Sequence, residues 1–168
     1  SEEAALNAFA ELGGDVVVKP LFGAEGRGIL RVSDPDLAHR TFRTLSRLGS
    51  VLYLQRFIPH PGHDIRVLVL DGEILGGMQR SHPTDFRTNL ARQGTAAPHL
   101  VTRHEAELAL AAIDVTEARI AGVDLLYDLQ GRCHVIEVNA VPGWKGFART
   151  TGIDVAARLL TSVLRDLD

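Results

Sequence analysis

Residues Ala121–Lys145 read AGVDLLYDLQGRCHVIEVNAVPGWK. Gly122-Val123-Asp124 leads an apolar run, and Asp128, Gln130 and Gly131 form a turn. A second run, His134 to Val138, comes next, with Glu137 and Asn139 on one face because strand side chains repeat every two residues. Folding the hairpin about its turn brings Asp124 opposite that pair. Two carboxylates and an amide oxygen then converge, without sulfur or imidazole. An all-oxygen set of this kind suits Mg²⁺ or Mn²⁺ held together with a phosphate-bearing substrate. An amphipathic strand whose Glu137 and Asn139 merely face solvent has the same pattern, so the hairpin alone does not choose.

The composition narrows the class. The 168 residues are 45% hydrophobic, and a chain of that size buries about 70% of its unfolded surface. Eighteen Lys+Arg against 21 Asp+Glu leave a net charge of −3, which argues against a direct nucleic-acid surface. Cys133 is the single cysteine, so no intrachain disulfide forms and a reducing cytoplasm is expected. There is neither an apolar run of membrane-span length nor a signal-peptide pattern. The start at Ser1, with no initiator methionine, fits processing, a tag scar, or a domain cut from a longer protein.

Working outward, Ala4, Leu6, Phe9 and Leu12 mark a first helix that Gly13-Gly14 stops. Val16 to Lys19 is strand-like, Leu21 to Gly28 is glycine-rich, and Ile29 to Val32 is a short strand. Ser33-Asp34-Pro35 supplies a cap and an N1 proline for a helix to about Gly49. Val51 to Ile58 reads as a strand. Ile65–Leu70 and Ile74–Arg80 form a hairpin about Asp71-Gly72. Ser81 to Leu100 reads as one long polar loop, of a length that usually serves function. Thr102 caps a helix to about Asp114, and Ile153, Ala156, Leu160, Val163 and Leu167 mark a closing amphipathic helix. The class is α+β, with mostly antiparallel hairpins.

Gly23-Ala24-Glu25-Gly26-Arg27-Gly28 has the form GxxGxG. Glycines let backbone N–H groups approach phosphate oxygens. The run joins two strands and lacks a following Gly-Lys-Ser/Thr, so it is neither a dinucleotide fingerprint nor a P-loop. A flap between antiparallel strands would close over a nucleotide like a lid, with Lys19 aimed at the phosphates. The alternative is a flexible hairpin tip. Downstream, Arg66, Arg80, Arg87, Asn89 and Arg92 cluster around one hairpin and the loop after it. Arginine's planar fork suits phosphate and carboxylate groups, and keeps its charge when partly buried.

In this order the segments VVVKPLFGAEGRG, LYLQRFIP, HDIRVLVL, FRTNLAR, AGVDLL, VIEVNAVPG and TTGIDVA resemble the ATP-grasp superfamily, and specifically the RimK-like α-L-glutamate ligases. The resemblance implies an ATP-grasp fold, with antiparallel sheets and flanking helices. It implies a glycine-loop subdomain over about 15–50 and a catalytic subdomain over about 51–168, with an N-terminal domain and a second ATP lysine lying outside the chain. On that account the isolated chain has little ligase activity.

The family's roles carry over by position. Lys19 resembles the lysine on the ATP phosphates, and Gly23, Gly26 and Gly28 the flap above them. Gln55, Arg56 and Phe57 match the hinge whose backbone reads adenine, and Asp64 the acid on the ribose hydroxyls. Arg87 and Asn89 match residues at the nucleotide and the transferred phosphate. Arg66, Arg80, Arg87 and Arg92 would stabilise charge on the phosphoryl group. Asp124, Glu137 and Asn139 match the ligands of two Mg²⁺ or Mn²⁺ ions.

The implied reaction is ATP-dependent ligation of glutamate to an acidic acceptor, in a full-length protein that could be a homo-oligomer. A nucleotide-binding module without turnover is the competing class. Three positions depart from the pattern: Arg56-Phe57 replaces Glu-Tyr, Gln93 stands for glycine, and Trp144-Lys145 replaces Leu-Glu. The segment Asn139 to Gly146 resembles ligases of tetrahydromethanopterin-type cofactors. There Trp144 would stack on a heterocycle or else anchor the closing helix. A ribosomal-protein tail or a carrier protein are the other acceptors.

Overall fold

Ser1 accepts a hydrogen bond from the Ala4 N–H at 3.2 Å and so starts α1 (Glu2–Glu11). The computed structural model describes residues 1–20, 28–88 and 94–165, which fall into two compact units, Ser1–Pro59 and His60–Asp168. In the first, α1 and α2 (Pro35–Arg47) pack on a three-stranded antiparallel sheet. Its strands are β1 (Val16–Pro20), β2 (Leu30–Val32) and β3 (Leu52–Arg56), in the order β2-β1-β3. Asp34 caps α2 through the Leu37 N–H at 2.8 Å, with Pro35 in the first turn. Phe9, Val16, Val18, Val32, Ala38 and Phe42 form the core of this unit. β3 hydrogen-bonds to β1, so it belongs with the first unit, whereas the sequence reading drew the boundary near 50.

The second unit is built on a five-stranded antiparallel sheet of order β6-β5-β4-β7-β8. Its strands are β4 (His63–Leu70), β5 (Glu73–Ser81), β6 (Thr95–His99), β7 (Ile120–Tyr127) and β8 (Cys133–Asn139). Asp71 and Gly72 both have positive φ, 51° and 74°, as a tight hairpin turn requires. The helix α3 (Arg103–Thr116) covers one face, over Ile65, Val67, Val69, Val123 and Leu125. On the other face, α4 (Lys145–Thr151) and α5 (Val155–Arg165) contribute Phe147 and Val155 to a cluster with Leu68 and Met78.

α3 is fixed by a capping box between Thr102 and Glu105. The Glu105 carboxylate is 1% exposed. It accepts from the Thr102 N–H at 2.7 Å and the Tyr127 hydroxyl at 3.0 Å, and it meets His99 Nε2 at 2.9 Å. Burial alone would raise its pKa, but these partners outweigh burial and lower it. One carboxylate thus ties α3 to β6 and β7.

Two elements depart from the sequence reading. β6 lies inside the stretch expected to be loop, because TAAPH offers little β-branched signal and Pro98 is tolerated on an edge strand. The closing helix is preceded by a separate α4, ended by Gly152 at φ 75°. No described helix is long and apolar enough to cross a membrane.

β5 is pressed from both sides at a glycine pair. A Cβ on Gly76 would meet Ile153 Cδ1 at 2.8 Å, and one on Gly77 would meet the His99 backbone oxygen at 2.9 Å. Gly77→Ala is expected to destabilise the chain by about 1–3 kcal/mol, the usual cost of overpacking. Gly143→Ala, with open space around its Cβ, should be near neutral; urea midpoints of the two variants check this.

Candidate active site

One end of the α4/α5 face of the larger sheet is charged rather than apolar. Asp64 and Arg66 lie two apart on β4 and share that face. Asp64 pairs in register with Arg80 on β5, and Arg66 with Asp124 on β7. Asp124 in turn pairs with Glu137 on β8, while Gly122 pairs with Asn139. All six polar side chains therefore emerge on the same side.

Two irregularities make this possible. β5 shifts register between the pairs at Leu68 and Val69, with Leu75 the extra residue, and β8 shifts between the pairs at Asp124 and Leu125, with Ile136 the extra residue next to Glu137. Each extra residue switches the parity of the strand beyond it.

The four central groups form a closed network. Arg80 is 3% exposed. Its Nε donates to Asp64 Oδ1 at 2.8 Å, and its Nη2 bonds Asp64 Oδ2 and reaches Asp124 Oδ2 at 2.9 Å. Arg66 forks onto Asp124, Nε to Oδ1 and Nη2 to Oδ2, both at 2.8 Å. Burial would raise the Asp124 pKa, but the charges and hydrogen bonds of Arg80 and Arg66 overcome it and bring it to about 2. Burial acts against the Arg80 cation too, and Asp124 and Asp64 outweigh it and raise its pKa.

Sequence reasoning set Arg80 on the transferred phosphoryl group. The structure places it between two aspartates, where it positions them. Asp64, matched to the ribose acid, has both oxygens engaged by Arg80. These ion pairs were the part that sequence reasoning missed. The signal available was the alternation of charge in His63-Asp64-Ile65-Arg66, opposite a lone arginine near the end of the next strand.

Glu137 is exposed at the edge of this network. Asn139 Oδ1 accepts from the Val141 N–H at 3.0 Å, in the turn that leaves β8. At the other end of the β7–β8 hairpin, Asp128 is buried. It accepts from the Gln130 and Arg132 N–H groups at 2.9 Å and from Arg132 Nε at 2.8 Å, and it meets His134 Nε2 at 3.0 Å. The oxygen donors and their shared face fit a hard divalent cation. The side-chain orientations do not yet present them: Asp124 faces two guanidinium groups, and no group of three His, Cys, Asp or Glu among the described residues is arranged to hold an ion.

Beyond the sheet, Arg87 forks onto Asp85, Nη2 to Oδ2 at 2.7 Å, and its guanidinium lies 5.5 Å from the centre of the Phe86 ring. The hydrogen bond to Asp85 is the main reason its pKa is raised. Asn89 and Arg92 lie outside the described residues, as do Gly23 and Gly26.

In the first unit, Lys19 and Gln55 share the sheet face opposite the α1/α2 core, paired in register with Tyr53 and Val17. Arg56 points to the other face and donates from Nε to the Leu12 carbonyl at 3.1 Å. The Phe57 N–H donates to the Asp15 carbonyl at 2.9 Å, and Arg31 stacks 3.6 Å over its ring. Gly28 has φ 75° and lies against Pro20.

The chain matches the RimK-like ATP-grasp domain over residues 2–163. It belongs to that family. Tetrahydromethanopterin:α-L-glutamate ligase of Methanococcus maripaludis is 34% identical over 155 residues, covering 89% of this chain and 52% of the relative. Ribosomal protein bS6–L-glutamate ligase of Escherichia fergusonii is also 34% identical over 155 residues, covering 91% and 51%. The chain thus spans about half the length of the curated relatives it matches.

Among solved structures, the ATP-grasp ligase PsnB complexed with minimal precursor, Mg and ADP aligns with a TM-score of 0.74 at 21% identity, covering 100% of this chain and 51% of that one. D-cycloserine synthetase DcsG aligns at 0.77 and 21% identity, covering 99% and 61%. At those identities the likeness establishes the ATP-grasp fold alone.

The buried network sets two expectations for this RimK-like domain. Arg80→Met leaves Asp64 without its partner and should cost about 3–5 kcal/mol, read from urea unfolding. Asp124 has an ordinary pKa of 3.8, depressed to about 2 in the fold. Its stabilisation is therefore fully present above about pH 4 and is lost as pH falls toward 2. The stability gap between the wild type and Asp124→Asn should narrow over that interval, followed by denaturation at stepped pH.

Proposed function

We propose that this chain is the nucleotide-binding and metal-binding part of an ATP-dependent ligase that attaches L-glutamate to an acceptor carboxylate. The observation that carries the reading is the family match, together with Asp124, Glu137 and Asn139 on one sheet face beside Arg66. The acceptor carboxylate attacks the γ-phosphorus, the bond to the ADP oxygen breaks, and an acylphosphate forms. The α-amine of glutamate then attacks the acyl carbon and loses a proton, and inorganic phosphate leaves. No enzyme nucleophile is needed, so catalysis is positioning and charge neutralisation.

In this reading Lys19 and Arg87 bind phosphate oxygens, and the backbone from Gln55 to Phe57 holds the adenine edge. Arg66 neutralises charge on the moving phosphoryl group, while Arg80 fixes Asp64 and Asp124. Asn89, Arg92 and the glycines 23, 26 and 28 keep the roles their positions imply. Asp124, Glu137 and Asn139 would hold Mg²⁺ or Mn²⁺, as two ions, which supply charge neutralisation between the phosphates. The protein works in a reducing cytoplasm on small molecules, without direct contact to nucleic acid, and a homo-oligomer of the full-length form is compatible with this.

For the acceptor we propose an anionic small molecule of the tetrahydromethanopterin type, with the exposed Lys145 at the start of α4 pairing with its acidic tail. Trp144 packs against the Leu68, Met78, Phe147 and Val155 cluster, which suits an anchor for α4 better than a stacking platform. A protein-tail acceptor is the second reading, favoured by the equal identity to the bS6 ligase.

Lys19→Ala should weaken Mg·ADP binding at least tenfold by calorimetry; unchanged affinity would remove Lys19 from the nucleotide site. Separately, the full-length enzyme incubated with ATP, Mg²⁺, glutamate and each acceptor class should yield one added glutamate residue by mass spectrometry, on the pterin-type acid. Addition to a protein tail alone would reverse the acceptor and keep the chemistry. Nucleotide binding without ADP formation for every acceptor would leave a non-catalytic module.

A further inference from the structure

Asp124 is the central carboxylate of the proposed cation site, yet its oxygens already receive three N–H contacts, two from Arg66 and one from Arg80. The two arginines are not equivalent. Arg80 is anchored a second time by Asp64, and its side chain is 4% exposed. Arg66 has a more open side chain, 13% exposed, and among the described residues its side-chain bonds go to Asp124 alone.

Gly122 gives Arg66 its path. A Cβ there would lie 3.4 Å from Arg66 Nε, 3.5 Å from its Cδ and 3.2 Å from Pro142 Cβ. The arginine stem therefore runs across the bare backbone of Gly122, beside the turn that leaves β8. Charge completes the picture. Asp64, Asp124, Arg66 and Arg80 sum to zero, so a divalent cation added with Arg66 in place would meet two guanidinium groups and, among the described residues of this face, the exposed Glu137 beyond them. Like charges at such distances repel strongly in a partly desolvated site.

Building on the proposed function, we propose that Arg66 is an exchangeable counter-ion. It holds Asp124 closed until a divalent cation and a polyphosphate arrive together, and it then leaves Asp124 for the phosphate oxygens. The planar fork that matches a carboxylate matches a phosphoryl group equally well. The exchange couples the two ligands: cation alone has to displace Arg66 into water, whereas cation with polyphosphate brings the new acceptor with it.

The test is Mn²⁺ binding to the 168-residue chain, read from the electron paramagnetic resonance signal of free ion, with and without ADP. Arg66→Gln should bind Mn²⁺ alone at least tenfold more tightly than wild type, and the enhancement produced by ADP should shrink. Adding Asp124→Asn should abolish the gain. Arg66→Lys, which keeps the charge and loses the fork, should fall between, and it serves if Arg66→Gln melts at assay temperature by circular dichroism. Equal or weaker Mn²⁺ affinity in both Arg66 variants overturns the exchange, even where wild type retains Mn²⁺ with ADP. Failure of wild type to retain Mn²⁺ with ADP would instead count against the proposed function itself.

Discussion

A guanidinium group buried between two carboxylates organises the larger unit. Arg80 sits between Asp64 and Asp124 with almost no exposure, and none of the three could be buried there alone, because an unpaired charge in that position costs several kcal/mol. The mutual requirement fixes the register of β5, β4 and β7 at the end of the sheet where apolar packing gives out. α4 and α5 cover Leu68 and Met78, and beyond them ion pairs replace methyl groups. The same network holds Asp124 between two guanidinium groups and keeps it anionic over the physiological range.

Much of this was legible in the chain. Asp34-Pro35 and Thr102 with Glu105 announced two helix starts, and both caps are made. Asp71-Gly72 marked the turn joining β4 and β5. The placing of Asp124 and Glu137 on one face also came from reading the β7–β8 hairpin. What could not be read is how that parity is achieved. A regular ladder from the Asp71-Gly72 turn would set Asp64 opposite Gln79, and the shift near Leu75 sets it opposite Arg80 instead. Bulges depend on packing from both sheet faces, which leaves no local signature. β6 was hidden for a related reason: an edge strand held by its neighbour's backbone needs little propensity of its own.

The two units carry different polar groups. Lys19 and Gln55 sit on the smaller sheet, on the face away from its helices, and the carboxylates belong to the larger one. Arg56, where the family's usual glutamate is absent, turns toward the helix side and ties β3 to the Leu12 carbonyl at the end of α1. The Arg56 side chain thus has a structural use.

The bulges at Leu75 and Ile136 act as parity elements, and this makes the charged face sensitive to chain length as well as to chemistry. A regular ladder that kept Leu75 in step would set Gln79 opposite Asp64 and turn Arg80 toward the layer of Ile65, Val67 and Val69, beneath α3. A regular ladder that kept Ile136 in step would likewise carry Glu137 to the side opposite Asp124. In such a sheet, a length change between a bulge and the charged residue it aims is the severe lesion, and loss of the bulged residue itself a mild one. Length variation among relatives should therefore collect in the turns and at the two bulges, and spare the rest of these strands.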